Sequence, residues 1–167
     1  MAEEQHDAER VAAIRAYSIL DTPSEPEFDE IVHEAANAFG MPMAVMSLVD
    51  EDRQWFKART GIEATGADRA TSFCTHTIRS AAMFVVQDAA SDPRFAHNPF
   101  VAGDPHIRFY AGTTLTTPDG DRIGTICVMD SVVHDAPTAA QRGSLAALAD
   151  RAMSALEVRK RRLSDAD

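Results

Sequence analysis

The chain has 167 residues, of which 45% are hydrophobic and 25% charged, the size and profile of one globular domain rather than of a disordered chain. Its 16 basic and 26 acidic side chains give a net charge of −10, which argues against non-specific nucleic-acid binding, because that needs a basic face to displace phosphate counterions. Two cysteines are too few for a disulfide framework. No run reaches the ~20 apolar residues of a membrane crossing, and the N-terminus is acidic, unlike a secretory signal; the expected location is the cytoplasm, away from membranes.

In chain order, residues 3–20 are expected to form a helix with Val11, Ile14, Tyr17 and Ile19 on its apolar stripe. Asp21-Thr22-Pro23 stops it, since a residue ahead of proline is pushed out of the helical region. Ser24 is the expected N-cap of a second helix, with Pro26 in the first turn. Phe28, Ile31, Val32, Ala35, Ala36 and Phe39 then recur at i, i+3, i+4, i+7, i+8 and i+11, and Gly40 stands where a C-terminal cap belongs. The period changes after that. Met43 to Val49 is a near-continuous apolar run of strand length, the pattern of a strand buried on both faces. Residues 54–59 form the second arm of a hairpin across Asp50-Glu51-Asp52. Residues 61–71 read as loop, Ser72 caps a short helix reaching to about Ser80, and Met83 to Gln87 is a third strand. Residues 88–107 carry Asp-Pro, Asn-Pro and Gly-Asp pairs without a long periodic segment, and such a stretch inside a compact domain is usually functional. Strands at 108–116 and 122–130 flank the turn signal Pro118-Asp119-Gly120. On the second of them Ile123, Thr125, Cys127 and Met129 share one face, and Gly124, Ile126 and Val128 the other. A helix over about 138–163 closes the chain. No repeat or linker divides it, so residues 1–167 are expected to be one α+β domain. Helices from both chain ends cover one face of an antiparallel sheet, and the irregular insertion lies over the other.

At four stretches the chain resembles the GAF domain, the small sensory module of bacterial signalling proteins. These are Leu20-Asp21-Thr22-Pro23 with Glu25-Pro26 and Phe28-Asp29; Ser47 through Lys57; Ser72-Phe73-Cys74 with His76; and the block from Asp92-Pro93-Arg94-Phe95 through Asn98-Pro99 and Arg108 to Gly112, ending at Gly124-Thr125 and Cys127-Val128. Together they span about residues 10–155. The resemblance implies a sheet of five or six strands, terminal helices on one face, and a small-molecule pocket under the loops on the other. This branch of the family sits beside a histidine kinase, a diguanylate cyclase or a similar output domain, so the chain is either a stand-alone module or a piece of a longer sensor with a signalling output partner.

Candidate pocket residues each carry two readings. Cys74 and His76 stand at the start of the short helix. Phytochrome-type GAF domains, similar to this chain, attach a bilin at an adjacent Cys-His pair, and here Thr75 intervenes. A helix N-terminus also lowers a thiol pKa and suits a redox sensor; the plainer reading is a structural thiol and a hydrogen-bonded histidine. The free methionine-R-sulfoxide reductase is an enzymatic GAF domain whose chemistry needs pocket thiols. Only Cys74 and Cys127 are available for that here, and the reductase's cysteine pattern is not visible, so no catalytic residue is assigned. Cys74, His76, His97, His106 and Cys127 lack the spacing of a metal site, so no metal is expected and no cofactor is named. Arg94 and Asn98, with Phe95 between them, form a lid over a polar ligand, or Arg94 pairs with Asp88 or Asp92 to pin its own loop. Arg108 and Tyr110 share a strand face and suit a pocket wall or a solvated sheet edge. Trp55 alternates with Phe56, so one ring faces the helices and the other faces away, as pocket lining or exposed.

The last helix carries a second pattern. Leu145, Ala149, Ala152, Leu156, Arg159 and Leu163 step 4, 3, 4, 3, 4, which makes a seam for a coiled-coil-like contact between two copies. The alternative is packing on the chain's own sheet. About 26 helical residues span ~39 Å, more than a small sheet, so the distal end is expected to protrude. Acids of the first 30 residues, Glu3, Glu4 and Asp7 among them, are the expected partners of the basic run Arg159 to Arg162. The sequence therefore implies a non-catalytic sensory domain that binds an unidentified small molecule, homodimeric through its terminal helices. A structural GAF domain with an empty pocket is the first alternative, and a reductase the second.

Overall fold

A computed structural model describes residues 2–80 and 82–165. Helices α1 (Ala2–Ala16) and α2 (Pro26–Phe39) precede strands β1 (Met43–Val49), β2 (Arg53–Thr60) and β3 (Gly66–Asp68), and the short helix α3 (Phe73–Thr77). Strand β4 (Phe84–Val86), one-turn helix α4 (Pro99–Ala102), strands β5 (Phe109–Thr116) and β6 (Arg122–Asp130) and the long helix α5 (Ala139–Asp165) complete the domain. The strands form one antiparallel sheet in the order β3-β2-β1-β6-β5-β4. The expected α+β architecture is present.

Two apolar layers explain the order of elements. On one face Ile14, Phe28, Ile31, Val32, Leu145 and Leu156 of the three long helices meet Met46, Leu48, Ile126 and Val128. On the other face Val45, Val49, Cys127 and Met129 meet the irregular segments through Phe73, Phe95, Val101 and Ile107. Strand β1 is buried along its full length because both layers cover it.

Three local readings are corrected. Helix α1 ends at Ala16 rather than Leu20, because Ser18 and Asp21 adopt positive φ (51° and 61°) and fold the chain back under α5. Ser24 caps nothing: the N-cap position of α2 is Glu25, and its carboxylate makes no cap bond because Lys57 and Arg159 hold it. Ile123 joins the helix-side layer instead of the face of Thr125 and Cys127. The ladder pairs Leu115 with Gly124 but Thr116 with Arg122, so Ile123 is the extra residue of a bulge and the alternation resets there. Short strand β3 and a one-turn 3-10 helix over Arg69–Thr71 also occupy the expected loop. Gly40 ends α2 with φ 61°, as its place in the sequence predicts.

A second bulge places a charge in the interior. Met46 pairs with Ala58 and Ser47 with Phe56, leaving Lys57 as the extra residue. Its amine, with no side-chain exposure, donates to Thr22 Oγ1 (2.9 Å), the Pro23 carbonyl (2.6 Å) and Glu25 Oε2 (2.5 Å). Arg159 of α5 grips the same Glu25 oxygen through Nε (2.9 Å) and donates to the carbonyls of Tyr17 and Ser18. Four residues ahead of Lys57, Arg53 forks onto Asp21 at 2.9 and 2.7 Å. The stretches 20–29 and 47–57 are thus two halves of one junction.

The seam along α5 is an internal stripe. Leu145, Ala149, Ala152 and Leu156 are buried in the chain's own core, because α5 lies along the sheet beside α2 for most of its length. Only Leu163 (42% exposed) and Val158 (36%) remain outside. Arg159 meets Glu25 rather than the acids of α1, and Asp7 pairs with Arg10 and Arg69; the side chains of Glu3 and Glu4 lie outside the described residues. Among the described residues no helix is long and apolar enough to cross a membrane.

Candidate functional site

Beneath the irregular segments the sheet carries a polar cluster. Ser47 and Thr125 are directly paired across β1 and β6, with their hydroxyls 2.9 Å apart. Gln54 of β2 donates from Nε2 to Ser47 Oγ (3.1 Å) and to Cys74 Sγ (2.9 Å). Cys74 sits in the first turn of α3, which Ser72 caps by accepting from the Thr75 amide. Its sulfur also lies 3.0 Å from Thr125 Oγ1, 3.3 Å from the Tyr110 hydroxyl and 3.5 Å from Ser47 Oγ. Tyr110 reaches Thr77 Oγ1 at 2.8 Å. Gly112 makes room for the tyrosine ring, since a Cβ there would stand 2.3 Å from its hydroxyl oxygen.

Burial raises a thiol pKa, but the hydrogen bonds that Cys127, Thr125, Tyr110 and Ser47 make to Cys74 more than offset it and bring the group down to about 7. Cys127 moves the other way, pushed up by its hydrogen bond to Cys74 and by burial. Tyr110 is pushed up by burial and by the two sulfurs beside it. The pair is thus biased so that ionisation falls on Cys74, while Cys127 and Tyr110 are held toward their protonated, donating forms. Such a thiolate is the oxidisable and nucleophilic form.

Above the cluster, Phe95, Phe73 and Tyr110 stack with centroids 4.4 and 4.8 Å apart, tying the irregular roof to strand β5. Cys74, Cys127, Tyr110, Asn98, Gln54 and Phe100 are among the residues lining a cavity of about 20 Å³, enough for one water. Asn98 caps α4 through Oδ1, which accepts from the Phe100 amide.

Cys74, Asn98, Tyr110 and Cys127 are thus brought together as expected, and the other candidates lie elsewhere. Trp55 packs on the helix side, and Phe56 is the ring that faces the cavity. Phe95 is fully buried in the roof as part of the ring stack. His76 stacks on Phe84 (5.8 Å) outside the cavity wall, its pKa lowered by burial and by Arg79 and Arg94. Arg94 chelates Asp92 at 3.0 and 2.7 Å and covers the rings of Phe84 and Phe95, so it pins its own loop. Arg108 donates to the carbonyls of Val101 and Ile107, both at 3.0 Å, and staples the roof instead of facing a ligand. Ser47, Gln54, Thr77 and Thr125 belong to the cluster without having been singled out. For Ser47 and Thr125 the signal is a small polar residue within an otherwise apolar strand; Gln54, on the polar strand β2, and Thr77, on α3, carry none.

The GAF domain family matches residues 24–156, and the chain belongs to that family, a sensory and signalling fold. It is 40% identical over 128 residues to a cyclic di-GMP phosphodiesterase of Pseudomonas aeruginosa, a match covering 77% of this chain and 22% of that protein. A putative GAF sensor protein from Burkholderia vietnamiensis superposes with a TM-score of 0.61 at 17% identity, covering 93% of this chain and 98% of that one. The free methionine-R-sulfoxide reductase from Neisseria meningitidis, in complex with its substrate, superposes with a TM-score of 0.63 at 18% identity, covering 89% and 87%. The chain spans about a fifth of the curated relative's length, and the two structural likenesses speak to fold alone.

Proposed function

We propose that this GAF domain is a non-catalytic regulatory module that binds a small molecule beneath its roof and passes the event to its terminal helices. The buried polar cluster around Cys74 carries the reading. Ser47, Gln54, Tyr110, Thr125 and two thiols stand bonded to one another in an otherwise apolar layer, and a few convergent polar groups in an apolar surround are what a small-molecule site uses to orient its ligand. With the roof seated the cavity holds about 20 Å³, so entry requires residues 94–101 to lift from Phe73. Strands β1 and β6 present Val45 and Cys127 to the cavity and Met46, Ile126 and Val128 to the helices, which gives a short mechanical route from one face to the other. The similarity to a cyclic di-GMP phosphodiesterase supports a place in cytoplasmic cyclic-dinucleotide signalling, as the regulatory portion of a longer protein. The exposed Val158 and Leu163 support pairing of two copies through the distal end of α5.

The small cavity also favours a second reading, a structural module that holds no ligand. Native mass spectrometry of freshly purified protein separates the two: a bound mass at one per chain, lost in Gln54→Leu, supports the sensor, and a bare mass with no binder in a metabolite screen supports the structural module. Turnover of free methionine-R-sulfoxide with dithiothreitol that depends on Cys74 and Cys127 would instead make the domain a reductase.

A further inference from the structure

Of the arginines ahead of Arg159, Arg79 and Arg122 alone have guanidinium groups with no hydrogen bond or ion pair among the described residues; the others are held by carboxylates or carbonyls. Both free guanidiniums line one cleft. It has a volume of about 630 Å³ and lies between α1, α3 and the β5–β6 turn, apart from the cavity under the roof.

Part of this cleft is rigidly built. Arg10 and Arg69 share the carboxylate of Asp7, Arg10 through Nη2 at 2.9 Å and Arg69 through Nη1 at 3.0 Å and Nη2 at 2.5 Å. Arg10 also donates to the Val49 carbonyl, and Arg69 to the carbonyls of Asp50 and Glu51 at 3.1 and 2.9 Å. Two guanidiniums against one carboxylate leave a fixed positive excess. Arg79, just past α3, and Arg122, the first residue of β6, add two more charges against Asp121. A net positive lining is thus concentrated in a chain whose overall charge is −10. The volume falls in the range of small-molecule sites, roughly 300–1,000 Å³, and exceeds what a single inorganic anion fills.

We propose that this cleft binds a small molecule carrying two adjacent phosphate groups. The planar forks of Arg79 and Arg122 suit bidentate bonds to phosphate oxygens, and the Arg10–Asp7–Arg69 cluster supplies a positive field that costs no reorganisation on binding. The site does not depend on whether the cavity under the roof takes a ligand.

The test is calorimetric titration of pyrophosphate and of ADP into the full chain at low ionic strength, where screening is weak. Both are expected to bind, more weakly as salt is added. R79E/R122E is expected to weaken both by at least about tenfold with an unchanged melting temperature, since neither arginine holds a contact of the fold. Amide resonances of Thr75 to Arg79 and Gly120 to Arg122 should shift, and those of Gln54 and Cys127 should not. If the charge reversal unfolds the chain, R79Q/R122Q provides the same comparison. The proposal is overturned if neither compound binds at millimolar concentration, if the double variants bind as well as wild type, or if ADP binds and pyrophosphate does not, since recognition would then rest on the base.

Discussion

Replacing Glu25 by Ala isolates the buried amine of Lys57. That amine has no exposure and uses all three donors on Thr22, Pro23 and Glu25. Removing one partner of a buried ion pair costs about 3–5 kcal/mol, because the remaining charge stays desolvated. Glu25 itself is 30% exposed, so water can follow the missing carboxylate and the cost falls to about 2–3 kcal/mol. A domain of this length loses roughly 2–4 °C per kcal/mol, which puts the expected fall in Tm at about 4–12 °C. Urea unfolding of wild type, Glu25→Ala and the Glu25→Ala/Lys57→Met pair measures it. The double variant should recover part of the loss, because no orphaned charge remains. A loss below about 1 kcal/mol in the single variant, or a further loss in the double one, would refute the reasoning: the amine would then be hydrated, or its stem would matter more than its charge.

Other outcomes follow from the same contacts. Leu156→Glu puts a carboxylate into the core and should abolish cooperative unfolding, whereas Leu163→Glu should leave stability within about 0.5 kcal/mol and move any dimer toward monomer in sedimentation. Gly124→Ala sets a Cβ 2.0 Å from the Ser47 carbonyl oxygen and should cost at least about 3 kcal/mol; Gly143→Ala meets nothing within 4 Å on α5 and should gain about 0.5–1 kcal/mol, both read from denaturant midpoints. The Asp7 carboxyl is lowered from 3.8 to about 2, chiefly by its hydrogen bond from Arg69. Its contribution is therefore complete above the unfolded value and disappears as pH falls through the folded one. Wild type should lose urea resistance between about pH 4 and pH 2 more steeply than Asp7→Asn does.

The long elements were legible because burial imposes a period. The stripe from Phe28 to Phe39 and the run from Met43 to Val49 could be placed within a residue or so. Bulges were not legible: nothing in the alternation around Lys57 or Ile123 marks an extra residue, and each reverses the side to which its neighbours point. That is why Ile123 was assigned to the wrong face. Trp55 was left between two faces because alternation gives relative sides without saying which faces the helices. The four candidates that meet at the cavity, Cys74, Asn98, Tyr110 and Cys127, come from family motifs. Arg94 and Arg108 turn to their own segment instead of lining the cavity, because an arginine in a turn-rich loop finds nearer acceptors in that loop, here Asp92 and the carbonyls of Val101 and Ile107. The seam along α5 was misread because a heptad-like step and an amphipathic packing stripe coincide over two or three turns.

The junction at Glu25 bears on where the domain can be cut. The family match runs from residue 24 to 156, and a chain trimmed to those limits would keep Lys57 and Glu25 but discard Thr22 and Pro23, two of the three acceptors of the amine, together with Arg159. It would also lose Ile14, Tyr17 and Ile19 from the helix-side layer, uncovering Phe28 and Leu156. Transplanting this domain onto a different output therefore requires grafting from at least Arg10 through Arg159, with the fusion points placed on the helical ends of α1 and α5 beyond.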